Sequence, residues 1–526
     1  MKNLLSITIL CCSLSAVTQD TFVNEQSINS SDDVIGTARF VGMGGAMGAL
    51  GADMSVIGWN PAGIGLFRKN DVSITFGGLW NKSKMNEEGR GTGTFDQAGF
   101  VTTLKTASDV CPYVNFAFNY QKKKNFNRNF YADSDTDYPI LISQMDQLAE
   151  IATAGYDTNW NLAGLAVDND ALSSWQDAEG KTHYYNKYYC SSNHYIHHSE
   201  GSLRAFDFNV STNINDRAFL GITLGVDNLD YSSWYNYYEA CEYDDAEGKT
   251  QYGNYGIGRD KHTTGYGFNF KIGGIVRPFA DNSFRIGVAI ESPTWYKLKS
   301  RELMDICYYE GENWALIQRS PEVNSDIDYN LRTPWKFRAS VGSTVGTMFA
   351  WDMDYEFANY SDMTQRYPRY NSFGGFVDEA MNDHMGLMLK GVHTVRAGME
   401  FRPTSPLAFR LGYNFSSAAY DSDATFDQYG LINSPASDYF TRTSYMVAKP
   451  THILGVGMGY KWKSFYVDLA YKVRHQKADF YSFDDSFTTP GSDFSVANPD
   501  LEDVRLAPIP VNLTRHSIVC TLGLKF

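Results

Sequence analysis

From residue 71 to its end the chain alternates, segment after segment, between apolar and polar side chains. Val395, Ala397, Met399 and Phe401 take turns with Arg396, Gly398, Glu400 and Arg402, and Phe409, Leu411, Tyr413 and Phe415 with Arg410, Gly412 and Asn414. Leu454, Val456, Met458, Tyr460 and Trp462 likewise oppose Gly455, Gly457, Gly459 and Lys461. Period two is the signature of strands with one apolar face. Membrane helices need runs of about 20 apolar residues, and none occurs here.

Two architectures give such strands: a soluble sandwich with its apolar face inward, or a membrane barrel with that face outward. The polar face decides between them. It carries glycines and charges of both signs, as a crowded, wet lumen would. The spacing of segments agrees. Alternating runs fall at 71–82, 94–104, 111–122, 202–213, 217–231, 264–276, 283–297, 328–342, 347–360, 392–402, 406–418, 450–462, 464–476 and 512–526. Short links such as Asn215-Asp216 follow every second run, and long stretches, notably 123–201 and 477–511, follow the others. Short turns on one side and long loops on the other predict an all-β fold, a 14-stranded antiparallel transmembrane β-barrel over 71–526 with long extracellular loops. The even count puts both barrel ends on the periplasmic side. Within 123–201, Leu141, Met145, Leu148 and Ala152 keep helical spacing and predict a short helix over the barrel mouth.

The N-terminus reads as a signal peptide over 1–19: Lys2, an apolar stretch from Leu4 to Leu14, then small residues. Export places the protein in the outer membrane of a Gram-negative bacterium. Cys11 and Cys12 suggest lipidation, but the preceding Thr8-Ile9-Leu10 matches that signal poorly. Beyond the signal, Cys111, Cys190, Cys241, Cys307 and Cys520 are odd in number and far apart, leaving room for one bridge but no framework. The formal charge of −15 excludes a nucleic-acid partner.

Residues 36–70 do not alternate. They hold Arg39-Phe40-x-Gly42-Met43-Gly44-Gly45-Ala46 and then Asn60-Pro61-Ala62-Gly63. A dinucleotide fingerprint fails, because Met47 takes the third glycine's place and no strand precedes. With Thr333-Pro334-Trp335-Lys336-Phe337 opening a strand and Pro508-Ile509-Pro510 before the last one, these motifs resemble the outer-membrane long-chain fatty acid transporters, the FadL-like porins. The resemblance implies a barrel plugged by an N-terminal hatch, here 20–70, with Asn60, Pro61, Ala62 and Gly63 as the hatch motif beside a lateral gap. It implies uptake of hydrophobic or amphipathic molecules such as fatty acids, with sideways release into the membrane lipids. The loops depart from that pattern in length and in their wealth of Tyr and Asp. Related barrels also serve secretion, so a subunit or cargo adaptor of a surface protein-export machinery, with an unidentified partner protein, is the alternative.

Candidate chemistry divides between site and scaffold. Trp160, Trp175, Trp234, Tyr235, Tyr237 and Tyr238 suit either an apolar capture site or an interfacial aromatic girdle. Arg338, Arg396, Arg402, Arg410 and Arg474 suit a carboxylate head group or, with Glu291, Asp352, Asp354, Glu356, Glu400 and Asp468, an internal ion-pair network, the preferred reading. His183, His194, His197 and His198 suggest a haem-binding surface receptor, and Asp133, Asp135 and Asp137 a calcium loop lacking its Gly and Glu. No nucleophile, zincin or Walker motif is present, so no catalytic residues, metal or cofactor are expected.

Overall fold

The structure, a computed structural model, describes residues 33–82, 91–140, 143–153, 162–169, 171–186, 189–244, 249–279, 283–310, 315–319, 323–368, 376–421, 443–483 and 508–526. The signal peptide, Trp160 and the acidic stretch 484–507 lie outside the described residues.

Fourteen strands build the wall: β1 (Asp71–Lys82), β2 (Thr92–Lys105), β3 (Tyr113–Asn125), β4 (Tyr189–Ile214), β5 (Ala218–Asp244), β6 (Thr250–Val276) and β7 (Arg285–Glu291). The circuit continues with β8 (Lys336–Val345), β9 (Phe349–Asn359), β10 (Gly391–Thr404), β11 (Leu407–Ser416), β12 (Thr443–Trp462), β13 (Phe465–Phe483) and β14 (Ile509–Lys525). Each pairs antiparallel with the next, and β14 pairs with β1, so the sheet closes and leaves no edge. Twelve of the fourteen alternating runs each fall on one of these strands, and the other two each cover residues of a wall strand and part of a second strand.

The exterior is what the alternation predicts. On β12, Leu454, Val456, Met458, Tyr460 and Trp462 are between 41% and 62% exposed, while Ile453 between them and the lumen is buried. The same apolar outward row recurs on every wall strand, far more than a soluble surface tolerates, and forms the lipid-facing band of a membrane barrel. Among the described residues no helix is long and apolar enough to cross a membrane.

Two predicted strands differ from the expectation. The run 283–297 is β7 followed by a separate strand Trp295–Glu310, and 328–342 is a strand Val323–Arg332 followed by β8. Pro293 and Pro334 occupy the two breaks, where their missing N–H groups interrupt the ladder. Thr294 N donates to Thr333 Oγ1 at 2.8 Å and Thr333 N to Thr294 O at 3.1 Å, which ties the two breaks together. The side toward β9 is looser: β8–β9 pairing ends at Lys336↔Ala358, and above it Val323–Arg332 pairs only through Asn330–Arg332 with a short strand Thr364–Tyr367.

β4, β5 and β6 run 26, 27 and 27 residues, well beyond the roughly 9–11 that cross a bilayer. Their outer halves support a cap. Helices Gln144–Thr153 (expected) and Leu162–Asp168 (unanticipated) bury Met145, Leu148, Leu162 and Leu165 against Tyr195, Tyr235, Tyr237, Tyr255 and Phe480. Cys190 and Cys241, register partners on β4 and β5, are joined in a disulfide beneath the cap. A third helix, Glu379–Met388, turns Met381, Met385 and Met388 toward Tyr231, Tyr329 and Tyr360 in a second apolar layer.

Candidate functional site

The lumen below that layer is filled by the N-terminal segment, residues 33–70. Its local structure is set by caps. Thr37 Oγ1 accepts from Phe40 N at 3.1 Å to start a helix at Ala38–Gly42, and Asp53 accepts from Ser55 N at 2.9 Å to start a 3-10 turn at Met54–Gly58. Gly44 and Gly45 adopt φ of +65° and +83°, the left-handed region that side chains avoid. The lumen-facing glycines of the alternation now have a cause: a Cβ on Gly412 would overlap the Met43–Gly44 peptide, and one on Gly455 the Val41 carbonyl. The wall leaves out side chains where the segment's backbone passes.

The wall also reaches inward. Asp354 accepts from Met47 N and Gly48 N at 3.2 Å, and Asp352 from Ala49 N at 3.0 Å and Leu50 N at 2.7 Å, so two carboxylates gather four successive amides. Asn60, capping a 3-10 turn at Pro61–Leu66, accepts from Ala62 N at 3.2 Å and donates Nδ2 to Gly48 O at 2.8 Å. Pro61 O accepts from Asn209 Nδ2 at 3.4 Å, and Gly63 N donates to Asn60 O at 2.9 Å. Asn60 and Pro61 press on Gly221, Gly273 and Gly287 of β5, β6 and β7, where the ladders are unbroken. The nearest interruption lies farther out, beyond Glu291 and Lys336.

Of the candidate arginines, Arg338, Arg396, Arg402 and Arg410 sit in ion pairs, while Arg474 donates to Gln476 Oε1 at 3.2 Å. Arg338 spans Glu291 at 2.6 Å and Glu356 at 2.5 Å and donates to Trp59 O at 3.1 Å; Arg396 faces Glu356 at 3.5 Å. Both guanidiniums lie over the Trp59 ring, at 4.3 and 3.8 Å. On the opposite face of the segment Arg410 joins Glu400 at 2.6 Å and Asp468 at 2.5 Å, Arg402 joins Glu400 at 2.6 Å, and Arg39 joins it at 3.0 Å. Trp234 and Tyr235 are not near these groups. Trp234 is part-exposed and stacks on His198 at 5.7 Å, and Tyr235 is buried in the cap. Trp59, which organises two of the arginines, escaped the sequence reading because its segment has no periodicity.

Among the described residues, two larger cavities flank the segment. The outer one, about 150 Å³, has Phe40, Trp59 and Arg396 below it and Phe126, Tyr231 and Tyr360 above, with Arg128, Arg474 and Arg515 also in its lining. The inner one, about 190 Å³, is bordered by Arg39, Asp53, Arg402 and Arg410, and no residue lines both.

The histidines do not converge. His183 Nε2 meets Asp177 at 2.8 Å, His194 Nδ1 meets Asp133 at 3.0 Å, and His197 is buried against Phe130 at 4.8 Å between ring centroids. Burial and the neighbouring Arg128 hold the His197 imidazole well below its ordinary pKa. Asp133 and Asp135 stand on an extended strand, Arg128–Ile140, paired with β4, which is not the loop a calcium site of the expected kind requires. Among the described residues, the one grouping with metal-ligand spacing is Cys190, Glu239 and Cys241, and its two sulfurs are bonded to each other.

No family model matches the sequence, and no curated protein matches it. Among solved structures the chain is similar to a Pseudomonas aeruginosa FadL homologue, with a TM-score of 0.52 at 11% identity over 94% of this chain and 100% of that one. The toluene transporters TodX of P. putida and TbuX of Ralstonia pickettii align over 94% of this chain and 99% of theirs, at 10% and 12% identity and TM-scores of 0.45 and 0.44. At 11% identity the first likeness establishes the fold, and the fold is FadL-like.

Proposed function

We propose that the protein is an outer-membrane channel, not an enzyme, that takes up hydrophobic or amphipathic small molecules resembling long-chain fatty acids and releases them sideways into the bilayer. In this reading residues 1–19 direct export, 20–70 form the hatch and 71–526 the barrel. The observation that carries it is the place of the outer cavity. Ala358 and Tyr360 line it, and they stand where the β8–β9 ladder ends. A ligand leaving there passes between Thr333–Trp335 and Asn359–Met363 to reach lipid beside the exposed Trp335 and Phe337. Arg474 and Arg515, grouped against Asp33, and Arg128 beside Arg515 supply cationic charge for an acidic head group.

The cavity is smaller than the roughly 300–1,000 Å³ of typical ligand sites, so this conformation is the closed one and passage displaces the hatch, the Glu379–Met388 helix or both. Cysteines at Trp335 and Asn359, one step beyond the last paired positions, test the exit. In a host lacking its own hydrophobic-compound uptake, radiolabelled oleate and toluene serve as probes. Oxidation should abolish uptake and a reductant restore it. Uptake indifferent to the lock would refute lateral exit, and a wild type that moves neither probe would refute the channel itself.

A further inference from the structure

One arrangement on the lipid-facing side recurs three times and has no part in transport. On β9–β10, Tyr355 Oη lies 2.7 Å from His393 Nδ1; on β11–β12, Tyr413 Oη lies 2.7 Å from His452 Nδ1; on β13–β14, Tyr471 Oη lies 2.7 Å from His516 Nδ1. The register is the same each time: the histidine sits directly opposite Phe357, Phe415 or Val473, two residues along from the tyrosine. Rings pack around them, Phe357 on His393 at 5.1 Å, Phe415 on His452 at 5.3 Å and Trp80 flat on His516 at 5.7 Å.

All three histidines face outward at the end of the apolar band nearest the long connections. The next outward residues are Val395, Leu454 and Ile518, each at least 41% exposed. From His452 to Trp462, at about 3.3 Å per residue and a tilt of about 40°, the strand climbs about 25 Å, the height of a barrel's apolar band. The imidazoles therefore stand at head-group depth. A phenol hydroxyl donating to Nδ1 fixes the imidazole proton on Nε2. Among the described residues no protein acceptor meets that Nε2 in any of the three. Just above two of the three, in the repeated sequence Lys-x-x-His, come Lys390 and Lys449, both more than 40% exposed beside Asp421 at 4.0 Å and Asp479 at 2.8 Å.

The geometry points to a docking belt on the β9–β14 face for phosphate-bearing lipid head groups, each held by an Nε2–H donor and, on β10 and β12, a nearby ammonium. Charge complementarity selects this occupant: an outward N–H at head-group depth, with a lysine three residues before it on two of the three strands, suits an anionic oxygen and not a bare acyl chain. The inference rests on the barrel spanning a membrane, and its test separates the two.

The mature chain is placed in nanodiscs of phosphatidylcholine mixed with phosphatidic acid, and the lipids retained on release are weighed by native mass spectrometry. Phosphatidic acid should be retained about five-fold above its bulk fraction, the worth of about 1 kcal/mol per contact. H393F/H452F/H516F, which keeps the aromatic surface, should lose that excess, and Y355F/Y413F/Y471F, which frees the tautomer, should reduce it. Folding of both variants is read from the shift between unheated and heated gel bands. An excess unchanged in the folded histidine variant, or removed by inorganic phosphate alone, overturns the belt. Insertion of the wild type without enrichment overturns the belt and leaves the barrel reading standing, whereas failure to insert overturns both.

Discussion

At the scale of single residues, the lumen has two kinds of position, those that make room and those that hold. Gly412 makes room. Alanine there must push the Met43–Gly44 backbone aside, so G412A should destabilise the closed barrel by about 1–3 kcal/mol, while G78A, with open space around its Cβ, should not. The temperature at which the folded gel band disappears measures both. Glu400 holds. It serves Arg39, Arg402 and Arg410 at once and is 2% exposed, so E400Q leaves the buried Arg410 and the largely buried Arg39 short of charge, while Arg402 keeps its access to water. A loss of about 3–5 kcal/mol is expected, with faster proteolysis within residues 33–70. The alternation in the sequence already put Arg338, Arg396, Arg410 and the acids on one side of the wall, and their pairing followed from that. Trp59, the shared partner of Arg338 and Arg396, did not, since nothing periodic marks it.

At the scale of elements, the cap helix Gln144–Thr153 is docked through Glu239, which accepts from Gln144 N at 2.8 Å and Ser143 Oγ at 2.7 Å. Burial raises the Glu239 carboxyl and, with Glu239 nearby, pushes Asp146 up to about 7 from 3.8. Between those pH values the docked helix keeps a proton that the undocked one releases, so docking is strongest in acid, weakens as pH rises through this window and levels off above it. Hydrogen exchange across 143–153, corrected for its intrinsic pH dependence, should accelerate from about pH 4 to about pH 7, and D146N should flatten the response. Wall strands were legible because lipid and lumen impose opposite demands on successive residues. The outer halves of β4–β6 were not, because both of their faces carry polar and aromatic side chains. The breaks at Pro293 and Pro334 left a readable trace all the same: outward residues are even-numbered at Val288 and Ile290 but odd at Trp295, and even at Arg332 but odd at Trp335 and Phe337.

For the whole molecule, the last wall strand seals what the N-terminal segment begins. Thr521 Oγ1 on β14 accepts from Ala38 N at 2.7 Å, and Asn70 and Phe526 exchange two backbone hydrogen bonds at 3.1 Å where β14 meets β1. Those contacts join residues more than 400 positions apart, so loop-closure entropy makes them late. The segment cannot be threaded into a cylinder that is already shut, because Gly412 and Gly455 leave no clearance beyond its own backbone. Enclosure and ring closure are thus a single assembly event, and a chain truncated before β14 should yield an open sheet with residues 33–70 accessible to protease rather than an empty barrel.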